Sequence, residues 1–251
     1  MVVREACPHC GSIWYKKNGH TRHAKQNHQC KACERQFVAT AEDRGIGSEQ
    51  RPMIEHLLRE RISLRGICRA VGVSLTWLLH FMVERFAACP DDLHVRVPRH
   101  PTDVVMRRLE AEADEMWSFV KQKANRQWIW IAMAAQTRQV IAFHVGDWSR
   151  DSAKALWAKL PSVYREQATF HTDQSDAYTG VIPAERHKAI TKKVRKTNHI
   201  ERFNNTLRQR VSRLVRETLS FSKKLANHIG AIKYFICHYN LMRVAAAALP
   251  V

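Results

Sequence analysis

From about residue 110 to residue 146 the chain carries strand-like runs, in which apolar positions either alternate with polar ones or follow one another directly. Short polar turns at KAN and QTR divide this stretch into three segments. Because successive side chains of a strand point to opposite faces of a sheet, the pattern predicts three antiparallel strands joined as a meander. The segments are AEADEMWSFVKQ, RQWIWIAMAA and RQVIAFHVG.

The pattern then changes to a mixture of helical and strand-like periods. We predict an amphipathic helix from Ser152 to Leu160, short strands at ATFHTD and HKAIT, and a long helix from about His199. An apolar stripe on the long helix faces the sheet and comprises Ile200, Phe203, Leu207, Val211 and Leu214. A last amphipathic helix carries Leu225, Ile229, Ile232 and Ile236 on one face. This order is typical of ribonuclease H-like nucleases and polynucleotidyl transferases, and it predicts such an α/β (α+β) domain over residues 109 to 251.

A second pattern, of helix, tight turn and helix, precedes this domain. Its apolar positions are Ile67, Val71, Val73, Leu78 and Phe81. Gly72 lies at the turn, and Ser74 is placed to cap the second helix. We predict a helix-turn-helix within residues 46 to 90, with a recognition helix from Ser74 to Glu84. The residues expected to bind DNA are Ser74, Leu75, Thr76 and Trp77, of which the last three are expected near base edges. An ordinary helical hairpin is the alternative.

The first 45 residues contain too few large aliphatic side chains for a core of their own. They carry two Cys-x-x-Cys pairs, CPHC and CKAC, with nineteen residues between them. This spacing fits a tetrahedral zinc site, and zinc binding of roughly 10 to 16 kcal/mol can replace a missing core. We predict a zinc ribbon with a structural Zn²⁺ held by Cys7, Cys10, Cys30 and Cys33. The alternatives are free thiols, or a site in which one cysteine is replaced by His20, His23 or His28.

The charge balance points to a polyanionic partner. Forty-one Lys and Arg against twenty-three Asp and Glu give a formal charge of +18, which favours nucleic acid. The longest apolar runs are too short to span a membrane, and MVVREACPHC contains no apolar secretory segment. We therefore expect a cytoplasmic, nucleoid-associated protein whose thiols stay reduced. The proline-containing stretch from 91 to 108 is predicted as a linker.

Three carboxylates fall where predicted elements meet. Asp114 lies within the first strand, where aspartate is disfavoured, Asp173 follows the fourth strand, and Glu201 lies in the first turns of the long helix. A metal ion would explain the strand aspartate. At about 100° per residue, Glu201 lies at the edge of the apolar stripe, and Asn205 and Arg208 project from the same side. The alternative for Glu201 is a surface ion pair with Arg202 and Arg208, worth about 0 to 1 kcal/mol.

Three motifs together resemble the DDE transposases of the insertion sequence one family, the InsAB type. They are ADEMWSFV (113 to 120), HTDQSDAY (171 to 178) and HIERFNNTLRQRVSRLVRETLSFSKK (199 to 224). In that family a zinc module and a helix-turn-helix precede a ribonuclease H-like catalytic domain. By this resemblance Asp114, Asp173 and Glu201 match the metal-binding triad, and Arg208 matches the basic residue two helical turns after the glutamate. Gln174 and Ser175 depart from the family pattern, which leaves Asp176 as the alternative to Asp173.

The resemblance implies a transposase that binds transposon ends, cleaves them and joins the 3′ hydroxyl to target DNA. Two Mg²⁺ ions, or Mn²⁺ as a substitute, would serve this chemistry. The implied partners are double-stranded DNA, contacted also by Asn205 and Arg208, and a second protein copy in a homodimer or larger synaptic complex. The cationic stretch before the long helix adds four expected DNA contacts: Lys192, Lys193, Arg195 and Lys196.

Two other functions fit parts of the sequence. A non-catalytic DNA-binding regulator would need the first two modules alone, and a magnesium nuclease would cut DNA without joining strands. Four tryptophans in strand-like runs are expected in the core rather than stacked on bases: Trp117, Trp128, Trp130 and Trp148.

Overall fold

A computed structural model describes nine stretches of the chain: 2–3, 5–21, 24–41, 46–47, 49–97, 109–173, 175–190, 197–214 and 222–248. The chain forms two compact units, Met1–Arg51 and Pro52–Val251, called here the first unit and the second unit.

The first unit consists of short antiparallel strands. Its strands are β1 (Val2–Val3), β2 (Tyr15–His20), β3 (Gln26–Cys30), β4 (Gln36–Val38) and β5 (Thr40–Ala41). Strands β2, β3 and β4 form a three-stranded sheet, and β1 pairs with β5. Its buried hydrophobic cluster consists of Cys7, Cys30 and Phe37, with Tyr15 and Ala39 among the residues packed against it. So small a core contributes little hydrophobic stabilisation.

Three helices come next along the chain: α1 (Gln50–Leu57), α2 (Leu64–Val71) and α3 (Leu75–Ala87). Gly72 ends α2 in the left-handed conformation with φ of 74°, which glycine adopts without steric cost. Ser74 begins α3, and its Oγ accepts a hydrogen bond from the Trp77 amide at 3.1 Å. The chain direction turns by 111° between α2 and α3. The turn and the cap thus lie at the residues that the sequence predicts.

A five-stranded mixed sheet follows: β6 (Glu110–Phe119), β7 (Arg126–Ala134), β8 (Val140–Gly146), β9 (Thr169–Thr172) and β10 (His187–Ala189). The strand order across the sheet is β10-β9-β6-β7-β8. Strands β6, β7 and β8 pair antiparallel, which confirms the predicted meander. Strand β9 pairs parallel to β6, and β10 pairs parallel to β9.

The helices that cover the sheet are α4 (Arg150–Ala158), α5 (Ser162–Gln167), α6 (Asn198–Arg210) and α7 (Leu225–Ala248). One core joins α6 and α7 to the sheet face that carries Met116, Ile129 and Ile131. The other core joins α4 and α5 to the opposite face, where Trp130 is completely buried. Residues of β6 therefore alternate between the two cores, as a strand with two buried faces requires.

The helices differ from the sequence prediction in three respects. The sequence does not predict α5, and α4 begins two residues before the predicted Ser152. Helix α6 ends at Arg210, and a 3₁₀ turn (Ser212–Leu214) continues the apolar stripe, so that Val211 and Leu214 are still buried. Helix α7 packs against both α3 and β8, which explains why it buries more than one stripe.

Residues 91–97, the described part of the predicted linker, pack against the core that α6 and α7 share with the sheet. Leu93 is 4% exposed, and its backbone oxygen accepts a hydrogen bond from Asn240 Nδ2 at 2.8 Å. The remainder of the predicted linker, 98 to 108, lies outside the described residues. Within the described ranges, no single helix is long and apolar enough to cross a membrane, and α2 and α3 meet the length and composition criterion only jointly across their bend.

Candidate active site and cysteine cluster

Four cysteines come together in the first unit. The Sγ atoms of Cys7 and Cys33 lie 3.7 Å apart, and those of Cys10 and Cys30 lie 3.5 Å apart. All four Sγ atoms lie within 4.8 Å of one another. Zinc with four sulfur ligands at about 2.3 Å places neighbouring sulfurs about 3.8 Å apart, so the cluster fits a tetrahedral Zn²⁺ site.

Backbone amides favour the ionised form of one of these thiols. The N–H of Cys33 is the largest influence lowering the pKa of Cys30, which is about 6 although burial of the sulfur raises it. The Ala32 N–H, 3.4 Å from the same Sγ, acts in the same direction. Because the thiolate is the form that binds metal, this turn prepares Cys30 as a ligand.

The carboxylates of the second unit are positioned first by the sheet. Strands β6 and β9 run parallel, with Ala113 opposite Thr172. Asp114 and Asp173 are the next residue of each chain segment, so Asp114, in the middle of β6, lies beside the residue that directly follows the end of β9. Asp173 Oδ1 accepts a hydrogen bond from the Ser175 amide at 3.1 Å, which fixes the carboxylate just beyond the end of β9.

Helix α6 supplies the third carboxylate and a buried amide. Glu201 lies in the first turn of α6, is exposed, and accepts a hydrogen bond from Thr197 Oγ1 at 3.1 Å. One turn later, Asn204 is 7% exposed and its Nδ2 donates to Asp114 Oδ2 at 2.8 Å. The Asn204 Oδ1 is buried and has no hydrogen-bond partner among the described residues. Asn204 therefore links α6 directly to the strand aspartate.

The beginning of α6 is held by a carboxylate from the sheet. Glu112, which is 2% exposed, accepts a hydrogen bond from the Ile200 amide at 2.8 Å through Oε2. Burial raises the pKa of Glu112, the amides of Ile200 and His199 lower it, and the charge of Glu201 raises it. Since the first amides of a helix lack partners within the helix, Glu112 supplies an acceptor for them and fixes the position of Glu201.

Two of the predicted carboxylates, Asp173 and Glu201, act electrostatically on the third, Asp114. Burial, together with the negative charges of Asp173 and Glu201, raises the pKa of Asp114 to about 6, against the lowering effects of the Glu115 amide and the Asn204 hydrogen bond. The ligand oxygens of the three carboxylates are farther apart than the cysteine sulfurs. Within the described ranges, the four cysteines are the one group whose metal-ligand atoms all lie within 4.8 Å of one another. Oxygen donors that repel each other in this way suit a hard divalent cation such as Mg²⁺.

A fourth carboxylate, Glu115, is not among the predicted site residues. Its Oε2 accepts from the Tyr178 hydroxyl at 2.9 Å, and its Oε1 accepts from Trp148 Nε1 at 3.1 Å. Burial raises the pKa of Glu115 to about 7, and the charges of Asp173 and Asp114 act in the same direction. Glu115 follows Asp114 in β6 and therefore points to the opposite face of the sheet.

The other predicted site residues occupy varied environments. Asn205 is exposed, and Arg208 is half-buried two turns after Glu201. Asp176, the alternative to Asp173, is exposed at the start of a 3₁₀ turn. On α3 and at its cap, Ser74 and Thr76 are exposed, whereas Leu75 and Trp77 are half-buried. The expected basic contacts Lys192, Lys193, Arg195 and Lys196 lie outside the described residues.

Two signals in the sequence point to the residues that were missed. Asn204 is four residues after Ile200 and three before Leu207, so it is a polar residue inside the apolar stripe of α6. In β6, Glu112 and Asp114 share one face of the strand, and Glu115 lies next to them on the other. Charged residues at buried strand positions require hydrogen-bonding partners. The sequence alone does not specify which residues these partners are.

Comparison with known proteins places the second unit in a family. The model of the IS1 transposase family matches residues 108–241. The InsB protein of insertion element iso-IS1n from Shigella dysenteriae is 36% identical over 128 residues, which is 51% of this chain and 94% of the relative. The insertion element IS1 protein InsB from Shigella flexneri is 34% identical over 131 residues, 51% of this chain and 96% of its own length.

Among solved structures, a chain from the simian T-cell lymphotropic virus intasome in complex with PP2A regulatory subunit B56 gamma is similar, with a TM-score of 0.37 and 13% identity. The similarity covers 67% of this chain and 63% of that one, and it is too low to bear on function. The family match spans more than half of the chain, and the InsB relatives are matched over nearly their whole length. On this evidence the chain belongs to the IS1 transposase family.

Proposed function

We propose that this protein is a DNA transposase that binds the terminal inverted repeats of its element, cleaves the ends and joins the 3′ hydroxyl to target DNA. The observation that carries the proposal is that Asp114 in β6 lies beside Asp173 at the end of β9, and that the charges of Asp173 and of Glu201 on α6 both act on Asp114. Membership of a transposase family supports the reaction class. The strand order, with a central antiparallel meander and two parallel strands beside it, supports a ribonuclease H-like catalytic domain.

The catalytic residues of the proposal are Asp114, Asp173, Glu201 and Arg208. The three carboxylates would hold two Mg²⁺ ions, which when bound supply activation of the attacking oxygen and neutralisation of charge at the phosphate. Asn204 orients Asp114, and Glu112 fixes the start of α6. Arg208 supplies positive charge on the same helix for the DNA backbone.

Binding of the element's ends is assigned to the segments before the sheet. The 111° turn between α2 and α3 falls in the range of a helix-turn-helix, which supports α3 as the recognition helix. The four-cysteine cluster supports a structural zinc ribbon, because four protein ligands leave no position for a substrate. The proposed organisation is a zinc ribbon over 1–45, a helix-turn-helix over 46–90, a linker over 91–108 and the catalytic domain over 109–251.

Strand-transfer assays test the proposal against both alternative functions. The full chain is incubated with Mg²⁺, supercoiled target DNA and a duplex that carries the element's terminal repeat, either intact or already cut to expose the 3′ hydroxyl. We expect cleavage of the first duplex and joining of the second. Cleavage without joining would identify a nuclease.

The Asp114→Asn variant separates the transposase from a regulator. Asparagine retains an oxygen for the Asn204 hydrogen bond but has no negative charge. We expect this variant to bind the terminal duplex as the unaltered chain does and to lose both cleavage and joining. If neither protein cleaves or joins either duplex, and both bind equally, the regulator is correct.

A further inference from the structure

Trp148 is exposed, contrary to the sequence prediction that it belongs to the core. Its side chain is 59% exposed, whereas Trp130 is completely buried. The ring stacks on Trp128 with centroids 5.2 Å apart and planes inclined by 21°. One face of the Trp148 indole is therefore covered by Trp128, and the opposite face is left for another molecule.

Several contacts hold this indole in place. Its Nε1 donates to Glu115 Oε1 at 3.1 Å. The preceding residue, Asp147, receives a hydrogen bond from Trp130 Nε1 at its backbone oxygen, 2.9 Å away, and accepts from Ser152 Oγ at 2.6 Å. An exposed aromatic ring that is fixed before binding loses little conformational entropy when a ligand stacks on it.

The contact with Glu115 links the ring to β6 one residue after Asp114, on the opposite face of the strand. Glu115 follows Asp114 in β6, and the charges of Asp114 and Asp173 both act on it. Because the single N–H of the indole is already bonded to Glu115, the free face offers stacking and no hydrogen-bond donor. A planar, uncharged ring system is the ligand that such a face accepts best.

We propose that Trp148 is a stacking platform for an unpaired DNA base adjacent to the phosphate that is cleaved. This inference rests on the proposed function, which brings a DNA strand to Asp114 and Asp173. A base within a duplex has both faces covered by its neighbours, so a nucleotide must leave the stack to reach the indole. The platform accepts any base, since every base has a π-face, and it would hold the strand in register with the carboxylates.

The first experiment measures binding of two duplexes by the full chain with Asp114→Asn, which prevents cleavage. One duplex carries the terminal repeat and its flanking DNA fully paired, and the other has one mismatched nucleotide at the junction between them. We expect tighter binding of the mismatched duplex, and we expect Trp148→Ala to reduce its affinity by roughly 5- to 150-fold with little change for the paired duplex. Trp148→Phe should keep part of the preference.

Trp14→Ala is the matched control, because Trp14 is 69% exposed in the first unit. This substitution should leave the ratio of the two affinities unchanged. A preference that survives Trp148→Ala overturns the inference, and so does an equal loss of affinity for both duplexes. Circular dichroism of each variant checks that it is folded.

A second measurement identifies the stacked nucleotide directly. 2-Aminopurine replaces one nucleotide at a time on each side of the junction, and its fluorescence is compared between the chain that retains Trp148 and the Trp148→Phe and Trp148→Ala variants. We expect one position at which the fluorescence depends on the indole. If none does, and Trp148→Ala instead changes self-association in sedimentation analysis, the exposed ring is a protein contact and the proposal fails.

The outcomes separate this inference from the proposed function. A preference for the mismatched duplex that depends on Trp148, in a chain that neither cleaves nor joins DNA, would retain the platform and refute the transposase. Cleavage and joining by a chain that shows no such preference would retain the transposase and refute the platform.

Discussion

The cysteines of the first unit and the carboxylates of the second unit are both gathered from distant parts of the chain, but different forces hold them. The four Sγ atoms lie within 4.8 Å of one another, over a buried cluster of only Cys7, Cys30 and Phe37. The carboxylates come from β6, from the end of β9 and from α6, which pack together in a unit with two large cores. Each has a protein partner: Asn204 for Asp114, the Ser175 amide for Asp173, and Thr197 for Glu201.

This difference determines what a metal ion would do in each place. In the first unit the ion would replace a core, so its binding energy is folding energy. In the second unit the cores and hydrogen bonds position the donors, so the ion would serve the reaction without being required for folding. The two sites should therefore respond differently when their donor groups are removed.

Loss of the thiolate cluster should have the largest effect. Removing zinc with a chelator, or substituting Cys10→Ser, should unfold the first unit, because roughly 10 to 16 kcal/mol of binding energy is lost. The second unit should remain folded. Hydrogen exchange followed by mass spectrometry checks this result, with fast exchange expected in β2, β3 and β4 and continued protection in β6 to β8.

Cys68→Ser is the control, since Cys68 lies in α2, outside the cluster. It should leave protection of the first unit unchanged. Persistent protection of β2 to β4 after complete removal of metal would show that the first unit folds without metal. Metal binding would then not be what replaces a core in this unit.

Loss of a site carboxylate should abolish chemistry and spare the fold. Asp173→Asn removes a charge at the end of β9, and we expect single-turnover cleavage of a terminal duplex to fall by at least about 10²-fold. Asp176→Asn is the matched control, because Asp176 is exposed three residues later. The reverse result, with Asp176→Asn inactive and Asp173→Asn active, would transfer the role to Asp176.

A smaller effect is expected from the residue that orients Asp114. Asn204→Ala removes the 2.8 Å hydrogen bond to Asp114 Oδ2. We expect the cleavage rate at fixed Mg²⁺ to fall by roughly 10- to 100-fold, and the Mg²⁺ concentration for half-maximal rate to rise, because loss of a group that hydrogen-bonds to a metal ligand commonly has such effects. Asn205→Ala, at an exposed neighbour on the same helix that is an expected DNA contact, should leave the Mg²⁺ requirement unchanged. A reduced rate with an unchanged Mg²⁺ requirement would mean that Asn204 has a purely structural role.

Local patterns in the sequence account for the elements and for part of the site. Alternation locates β6, β7 and β8, the Cys-x-x-Cys spacing locates the thiolate cluster, and Gly72 with Ser74 locates the turn before α3. These features depend on a few neighbouring residues, so a single sequence contains the information that determines them.

Features that depend on contacts between distant residues were missed. The partnership of Asn204 with Asp114 spans 90 positions, and that of Glu115 with Tyr178 spans 63. Trp148 is expected in the core because it follows a strand-like run, yet it lies beyond the end of β8, at the edge of the sheet, where neighbours cover one face alone. Periodicity also could not separate the end of α6 from the 3₁₀ turn that buries Leu214, because both continue the same apolar stripe.

The smallest expected effect concerns Glu112, whose hydrogen bond to the Ile200 amide fixes the start of α6. Burial raises the folded-state pKa of Glu112. As pH rises from the ordinary pKa of a glutamate to this raised pKa, the unfolded chain releases the proton first. The free energy of unfolding therefore falls across this window and stays lower above it.

Glu112→Gln keeps an acceptor oxygen and carries no charge, so its stability relative to the unaltered chain should increase with pH in this window. Glu112→Leu leaves the amide unpaired and should cost about 1 to 3 kcal/mol. Urea unfolding at several pH values measures both variants; equal destabilisation by Gln and Leu would show that the ionised carboxylate itself, rather than any acceptor, holds α6 on the sheet.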